Sequence, residues 1–159
     1  GPGDVPAMAD ITAALPRFVT TSAYEPEAIM RITGTDHARM KKRYEEIFLS
    51  EWEERRRELD EEYGIVGFEE INYEGTEERR GFGPGFRTGE ERGGLKILFT
   101  GAEGESLAYM WMRGSGTEPV FRVLVDVDAG PLGHDKAREL HDYLLLWHRG
   151  MVKKADRAE

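Results

Sequence analysis

An α+β fold is predicted, with a mostly antiparallel sheet of four to five strands and two main helices on one face. Three observations predict it. A long amphipathic stripe starts near Thr35, runs of strand character lie between Phe68 and Val127, and a second amphipathic stripe follows Gly133. The 159 residues suit one domain with a short extra segment at one end.

The elements follow in order. Gly1–Gly3 read as the remnant of a cleaved tag and stand outside the fold. Residues 4–26 read as a lead-in: a short helical piece, then the loop LPRFVTTSAYEP, punctuated by Pro16 and Pro26. The domain proper is assigned to 27–159. EAIMRIT (27–33) reads as a strand, or as the start of a helix. Thr35 or Asp36 caps the next helix. Met40, Tyr44, Ile47, Phe48, Trp52, Leu59 and Tyr63 then recur at three- and four-residue steps as its buried stripe. The Glu/Arg run between them, Glu53 to Glu58, reads as a solvated face laced by i,i+4 ion pairs rather than a docking surface. Gly64 ends the helix in the C′ position.

FEEINYEG (68–75), LKILFTG (95–101), SLAYMWM (106–112) and VFRVLVDV (120–127) read as strands, the middle two joined by the hairpin turn GAEGES. The last helix is expected from about Gly133 to Ala155, burying Ala137, Leu140, Leu144, Trp147, His148 and Met151. Between the strands lies EGTEERRGFGPGFRTGEERGG (74–94). A connection this long is functional or disordered. Its plain reading is a mobile surface loop. Its functional reading is a loop that contacts another domain or closes over a ligand, with Arg79, Arg80, Arg87 and Arg92 as anion donors.

Composition narrows the function. With no cysteine there is no disulfide or thiolate metal site, which fits a cytoplasmic protein. No run of about 18 apolar residues offers a membrane span. A net charge of −9 argues against a general nucleic-acid binder, which needs a broad basic footprint. It does not exclude a small anion held locally.

The turn MRGSGTEP (112–119) suits a phosphate. Glycine lets backbone approach an oxyanion, successive N–H groups form an anion nest, and Ser115 and Thr117 add hydroxyls. Arg113 can donate two N–H groups to one phosphate. Arg122 lies among apolar neighbours and needs a partner if buried. No P-loop or dinucleotide fingerprint is present. On spacing alone, a plain tight turn remains open as the alternative.

The run Arg113-Gly114-Ser115-Gly116-Thr117-Glu118-Pro119-Val120-Phe121-Arg122-Val123 resembles the phosphate-binding loop RxSGTEPxxRV of the α-D-phosphohexomutases, the phosphoglucomutase and phosphomannomutase family. EINYEGTEERRGFGPGFRTG resembles a longer branch of these mutases, and the likeness extends from about Glu27 onward. It implies the fourth, C-terminal domain of such an enzyme, a TATA-box-binding-protein-like sheet with two helices. The phosphoserine loop, the aspartate-rich magnesium loop and the sugar-specificity loop of the family are missing. The resemblance therefore implies a domain without catalytic residues. It binds the phosphate of a hexose 1-phosphate, 6-phosphate or 1,6-bisphosphate beside the other domains of its parent. Mg²⁺ is implied only for that parent, with no cofactor in this chain. The implied phosphate contacts are Arg113, Ser115, Gly116 and Thr117, with Arg122 as a weaker carry-over that pairs with Glu118 in an alternative reading. The competing reading is a free-standing module for a phosphorylated ligand or a protein.

Three other groupings were weighed. His134, His141 and His148 fall seven apart on one helical face, a poor metal spacing. Asp126 and Asp128 share a strand face and read as a solvated strand end rather than an acid–base pair. Trp111, beside the turn, reads as core rather than as a sugar platform.

Overall fold

The computed structural model describes residues 15–74, 76–86 and 93–157. The helical piece expected before Leu15, the tag remnant and the loop arginines Arg87 and Arg92 lie outside these residues. Among the described residues, seven strands form one antiparallel sheet: β1 (Phe18–Thr20), β2 (Ile29–Arg31), β3 (Gly67–Glu74), β4 (Glu77–Arg80), β5 (Leu95–Thr100), β6 (Ser106–Gly114) and β7 (Val120–Asp128). Three helices accompany it: α1 (His37–Tyr63), the single turn α2 (Ala129–Leu132) and α3 (His134–Arg157). The strand order is β1, β7, β6, β5, β3, β4, and β2 lies beside β1 along the same edge of β7.

The α+β class and the antiparallel sheet agree with the sequence reading, but the sheet is larger than four to five strands. Two features escaped hydrophobic periodicity. The strand alternative for EAIMRIT holds at Ile29–Arg31, which pair with Val120–Arg122 of β7, but Phe18–Thr20, in the lead-in loop, also form a strand and pair with Asp126–Asp128. β1 is only three residues long, too short to display an alternation. The second feature is β4. Its sequence EERR has no apolar side chain, and it pairs with β3 inside what was read as one long connection. A short charged strand is how a sheet edge resists pairing with another chain. Arg79 and Arg80 are thus edge-strand residues rather than loop anion donors. Arg80 pairs with Glu69 at 3.1 Å and Glu78 at 3.6 Å.

Alternation divides the sheet into two faces. Phe68, Leu95, Ile97, Phe99, Met110, Met112, Phe121, Val123 and Val125 face α1 and α3. Phe48 of α1 anchors this layer, its ring 4.9 Å from Phe68 and 5.4 Å from Trp147, with Trp52 beside Phe68 and Phe99. α1 starts where expected: Asp36 is the N-cap, accepting from Arg39 N–H at 3.1 Å. It ends on Gly64 at φ 72°, a left-handed conformation that glycine adopts without strain. Its charged face carries exposed pairs such as Arg57–Glu61 at 3.1 Å, worth only tenths of a kcal/mol each.

Polar ties fix the helices to the sheet. Thr21, buried, joins β7 and α3: its hydroxyl accepts from Val125 N–H at 3.1 Å and lies 2.7 Å from His141 Nε2. His148 joins α3, α1 and β6 through Tyr44 and the Trp111 carbonyl. Asp126 bonds Thr20, and Asp128 takes a two-pronged contact from Arg17 at 2.9 and 3.0 Å while capping α2 at Gly130 N–H. These two aspartates are structural partners of β1 and α2, not bare strand-end carboxylates.

Asp156, near the end of α3, holds the chain just ahead of α1. It accepts from Thr33 N–H at 2.9 Å, from the Thr33 hydroxyl at 3.1 Å and from Gly34 N–H at 2.9 Å. Burial alone would raise its carboxyl, yet these bonds hold it below the ordinary carboxylate value. The stabilisation it supplies is present above the unfolded pKa and is lost as pH falls through the folded one. Asp156→Ala is expected to lower stability by about 1 kcal/mol, read as a lower urea midpoint. An unchanged midpoint would show that the tie is idle.

Candidate functional site

The turn between β6 and β7 is where the sequence signal concentrates. β6 ends at Gly114 and β7 begins at Val120, leaving Ser115–Pro119 as the connection. The turn organises itself. Ser115 N–H donates to the Val120 carbonyl at 3.0 Å, and Ser115 Oγ accepts from Thr117 N–H at 3.3 Å and Glu118 N–H at 3.2 Å. The Thr117 hydroxyl lies 3.4 Å from the same oxygen. With two amides already bound, Ser115 has only its own O–H hydrogen to offer a ligand. Gly116 is exposed, and its N–H has no partner among the described residues.

This turn forms one wall of an open cleft of about 570 Å³. The other wall is the start of α1: Gly34, Thr35, Asp36, His37 and Ala38. The sequence showed TDHA only as a helix start. That it stands across from the phosphate-like turn depends on long-range pairing. Ile32 N–H bonds the Pro119 carbonyl at 2.9 Å and brings β2, and hence α1, to the turn. The cleft has a mixed field. The N-terminus of α1 favours an anion, and the side chains of Asp36 and Glu118 oppose one. Positive charge must come from elsewhere.

Among the described residues, unpaired positive charge lies nearby, on the face of the sheet that bears no helix. Arg113 of β6 and Arg122 of β7 are directly opposite each other, both exposed. Arg122 is therefore not a buried charge, and no Arg122–Glu118 pair exists among the described residues. Arg31 of β2, which the sequence reading passed over, is exposed beside Val120 on the same face. None of the three arginines has an ion-pair partner among the described residues. Like charges placed opposite each other across two strands destabilise a sheet locally, a cost that the chain's net charge of −9 offsets in part.

Of the five residues singled out, Ser115, Gly116 and Thr117 meet in the cleft, while Arg113 and Arg122 meet on the open face. Arg113 stands two residues before Ser115, about 7 Å along the strand, within reach of a guanidinium on a flexible stem. It also lines a second depression, of about 300 Å³, with Tyr73, Gly93, Gly94 and Trp111. Trp111 is thus not in the helix-side core. Its register partners Lys96 and Leu124 put it on the open face, half-buried.

Two of the three helix histidines serve the scaffold: His148 is fully buried and His141 bonds Thr21. No cluster of three or more His, Asp or Glu suited to a metal occurs among the described residues. No helix among the described residues is long and apolar enough to cross a membrane. Comparison with protein-family models, curated proteins and solved structures returned no match.

Proposed function

We propose that this chain binds the phosphate of a phosphosugar as the C-terminal domain of a phosphohexomutase. Its sheet and helices would be arranged as in the TATA-box-binding-protein-like class. The parent enzyme would interconvert hexose 1-phosphate and hexose 6-phosphate, and this chain alone would catalyse nothing. The observation that carries the reading is the pair Arg113 and Arg122. They stand opposite each other, without an acidic partner among the described residues, at the root of the turn RGSGTEP. The turn tip adds the hydroxyls of Ser115 and Thr117 and the free N–H of Gly116. Charge from the strands and neutral donors from the turn together match a phosphate dianion.

The chemistry of such a reaction gives this grip a purpose. A phosphate held far from the reacting oxygen supplies binding energy that orients the sugar for transfer at its other end. A site built from backbone, hydroxyls and guanidinium reads phosphate rather than one face of a sugar, so it can hold either end.

The test is an NMR titration of the labelled chain with glucose 1-phosphate. Amides of Ser115–Glu118 are expected to shift, and Arg113→Ala to weaken the binding about tenfold, the size of one lost charge-assisted contact. Unmoved turn amides at saturating ligand, or equal affinity in the variant, would refute the assignment.

A further inference from the structure

We infer that the depression lined by Tyr73, Trp111 and Arg113 is a sugar-ring subsite and that Trp111 is its stacking platform. This rests on the phosphate reading above and extends it from the phosphate to the rest of the ligand.

Four observations carry it. First, the depression has the chemistry of a small polar ligand with an apolar face. Two aromatic side chains wall it, Arg113 stands at its rim, and its volume of about 300 Å³ is at the small end of ligand sites. Second, the Trp111 indole N–H has no hydrogen-bond partner among the described residues. A tryptophan that packs purely as core normally satisfies that group. Trp147 does so by donating to Glu51 at 3.1 Å. Third, the Gly94 backbone packs directly against one part of the indole and fixes the ring in place. A Cβ on Gly94 would stand 2.6 Å from Trp111 Nε1, so any side chain there would displace the ring. Fourth, Lys96 braces the aromatic floor, its ammonium 4.4 Å from the Tyr109 ring centre and 5.5 Å from that of Tyr73.

The geometry joins the subsite to the phosphate turn. Trp111 and Arg113 lie two residues, about 7 Å, apart along β6, and Ser115 opens the turn two residues further on. A phosphate at Arg113 and the turn leaves an attached ring over Trp111. The C–H face of a hexose can lie on the indole while its hydroxyls accept from Nε1–H and meet the Tyr73 hydroxyl. Inorganic phosphate would fill the turn and leave the indole untouched.

The full chain is titrated in parallel with inorganic phosphate and with glucose 1-phosphate, following the Ser115–Glu118 amides and the Trp111 indole N–H. Trp52 and Trp147 lie in the helix-side core and serve as internal controls. The expected result is that both ligands move the turn but only glucose 1-phosphate moves the Trp111 indole. Trp111→Leu should weaken glucose 1-phosphate about fivefold and leave inorganic phosphate unchanged. Trp111→Phe keeps an aromatic face and should recover most of the loss, which separates stacking from a folding defect. If both ligands move the turn, bind with equal affinity and are indifferent to Trp111→Leu, the subsite is wrong and the phosphate reading stands. If neither ligand moves the turn, both fall together.

Discussion

His148→Ala is expected to cost about 3 kcal/mol at neutral pH and to remove most of the pH dependence of stability between pH 6.5 and 5.5. His148 is fully buried where α3, α1 and β6 meet. Its Nε2–H donates to the Trp111 carbonyl at 2.9 Å, which leaves Nδ1 to accept from the Tyr44 hydroxyl at 2.6 Å. The neutral ring therefore satisfies both neighbours. Truncation leaves a cavity, a buried hydroxyl and a buried carbonyl.

Burial pushes His148 down to about 4, from the ordinary 6.5; the Trp111 hydrogen bond opposes the shift and the Arg149 charge adds to it. Tyr44, the other titratable group in contact, is raised by burial and by Glu70 and Glu51, so it stays protonated throughout. The sign follows from proton counts. Below about pH 6.5 the unfolded chain takes up a proton that the folded chain refuses until about pH 4. Stability is complete above pH 6.5 and falls as pH drops, by about 3 kcal/mol over the whole window. Asp128 and Asp156 have depressed values, Asp128 through its bond to Arg17, so their contributions fade only in stronger acid. Urea midpoints measured from pH 7.5 to 5.5 isolate the histidine. The wild type should weaken on acidification and His148→Ala should not. Tyr44→Phe, a milder change of about 1 kcal/mol, tests the same node if the alanine variant does not fold. Parallel slopes in wild type and His148→Ala would mean that another group carries the titration.

The long elements of this fold were legible because they obey one period over many residues. In α1, the stripe from Met40 to Tyr63 is buried apart from Ile47, which packs partly buried against the core. In α3 every residue of the expected stripe is buried. β5, β6 and β7 run six to nine residues with strand-rich apolar composition, enough for strand character, if not always the buried face, to be read. What stayed hidden is what pairing alone creates. β1 is a strand because β7 offers an unpaired edge, not because of its composition. β4 is a strand because β3 offers the opposite edge.

The site divides along the same line. Ser115, Gly116 and Thr117 are consecutive, so their meeting in one turn was visible in the sequence. The cleft they share with Asp36 and His37 was not, since it depends on Ile32 bonding Pro119 from nearly ninety residues away. Trp111 was misassigned for a related reason. In SLAYMWM apolar residues occupy both parities, and no local signal tells which parity faces the helices. The register with Lys96 decides it, because a lysine on that face means solvent.

Gly114→Ala should cost about 2 kcal/mol and reshape the cleft, although alanine is the smallest change available. Gly114 is the last residue of β6, buried, and directly opposite Phe121. An added Cβ would penetrate the ring of His37, the first residue of α1, and would come within 3.1 Å of Phe121 Cε1. Phe121 is fully buried and cannot yield. His37 is half-buried, with its ring centre 5.1 Å from that of Phe121, so His37 must move. It would lose the aromatic contact and draw the start of α1 away from Ser115–Pro119. Stability should therefore fall, and with it the phosphosugar affinity that the proposed function assigns to the turn. The double variant Gly114→Ala/His37→Ala separates causes. If the clash with the ring is what hurts, the double variant should be about 1 kcal/mol more stable than the sum of the single effects allows. Strict additivity would instead place the damage in the β6 backbone, and His37 would then be a bystander to the turn rather than the gauge of its distance from α1.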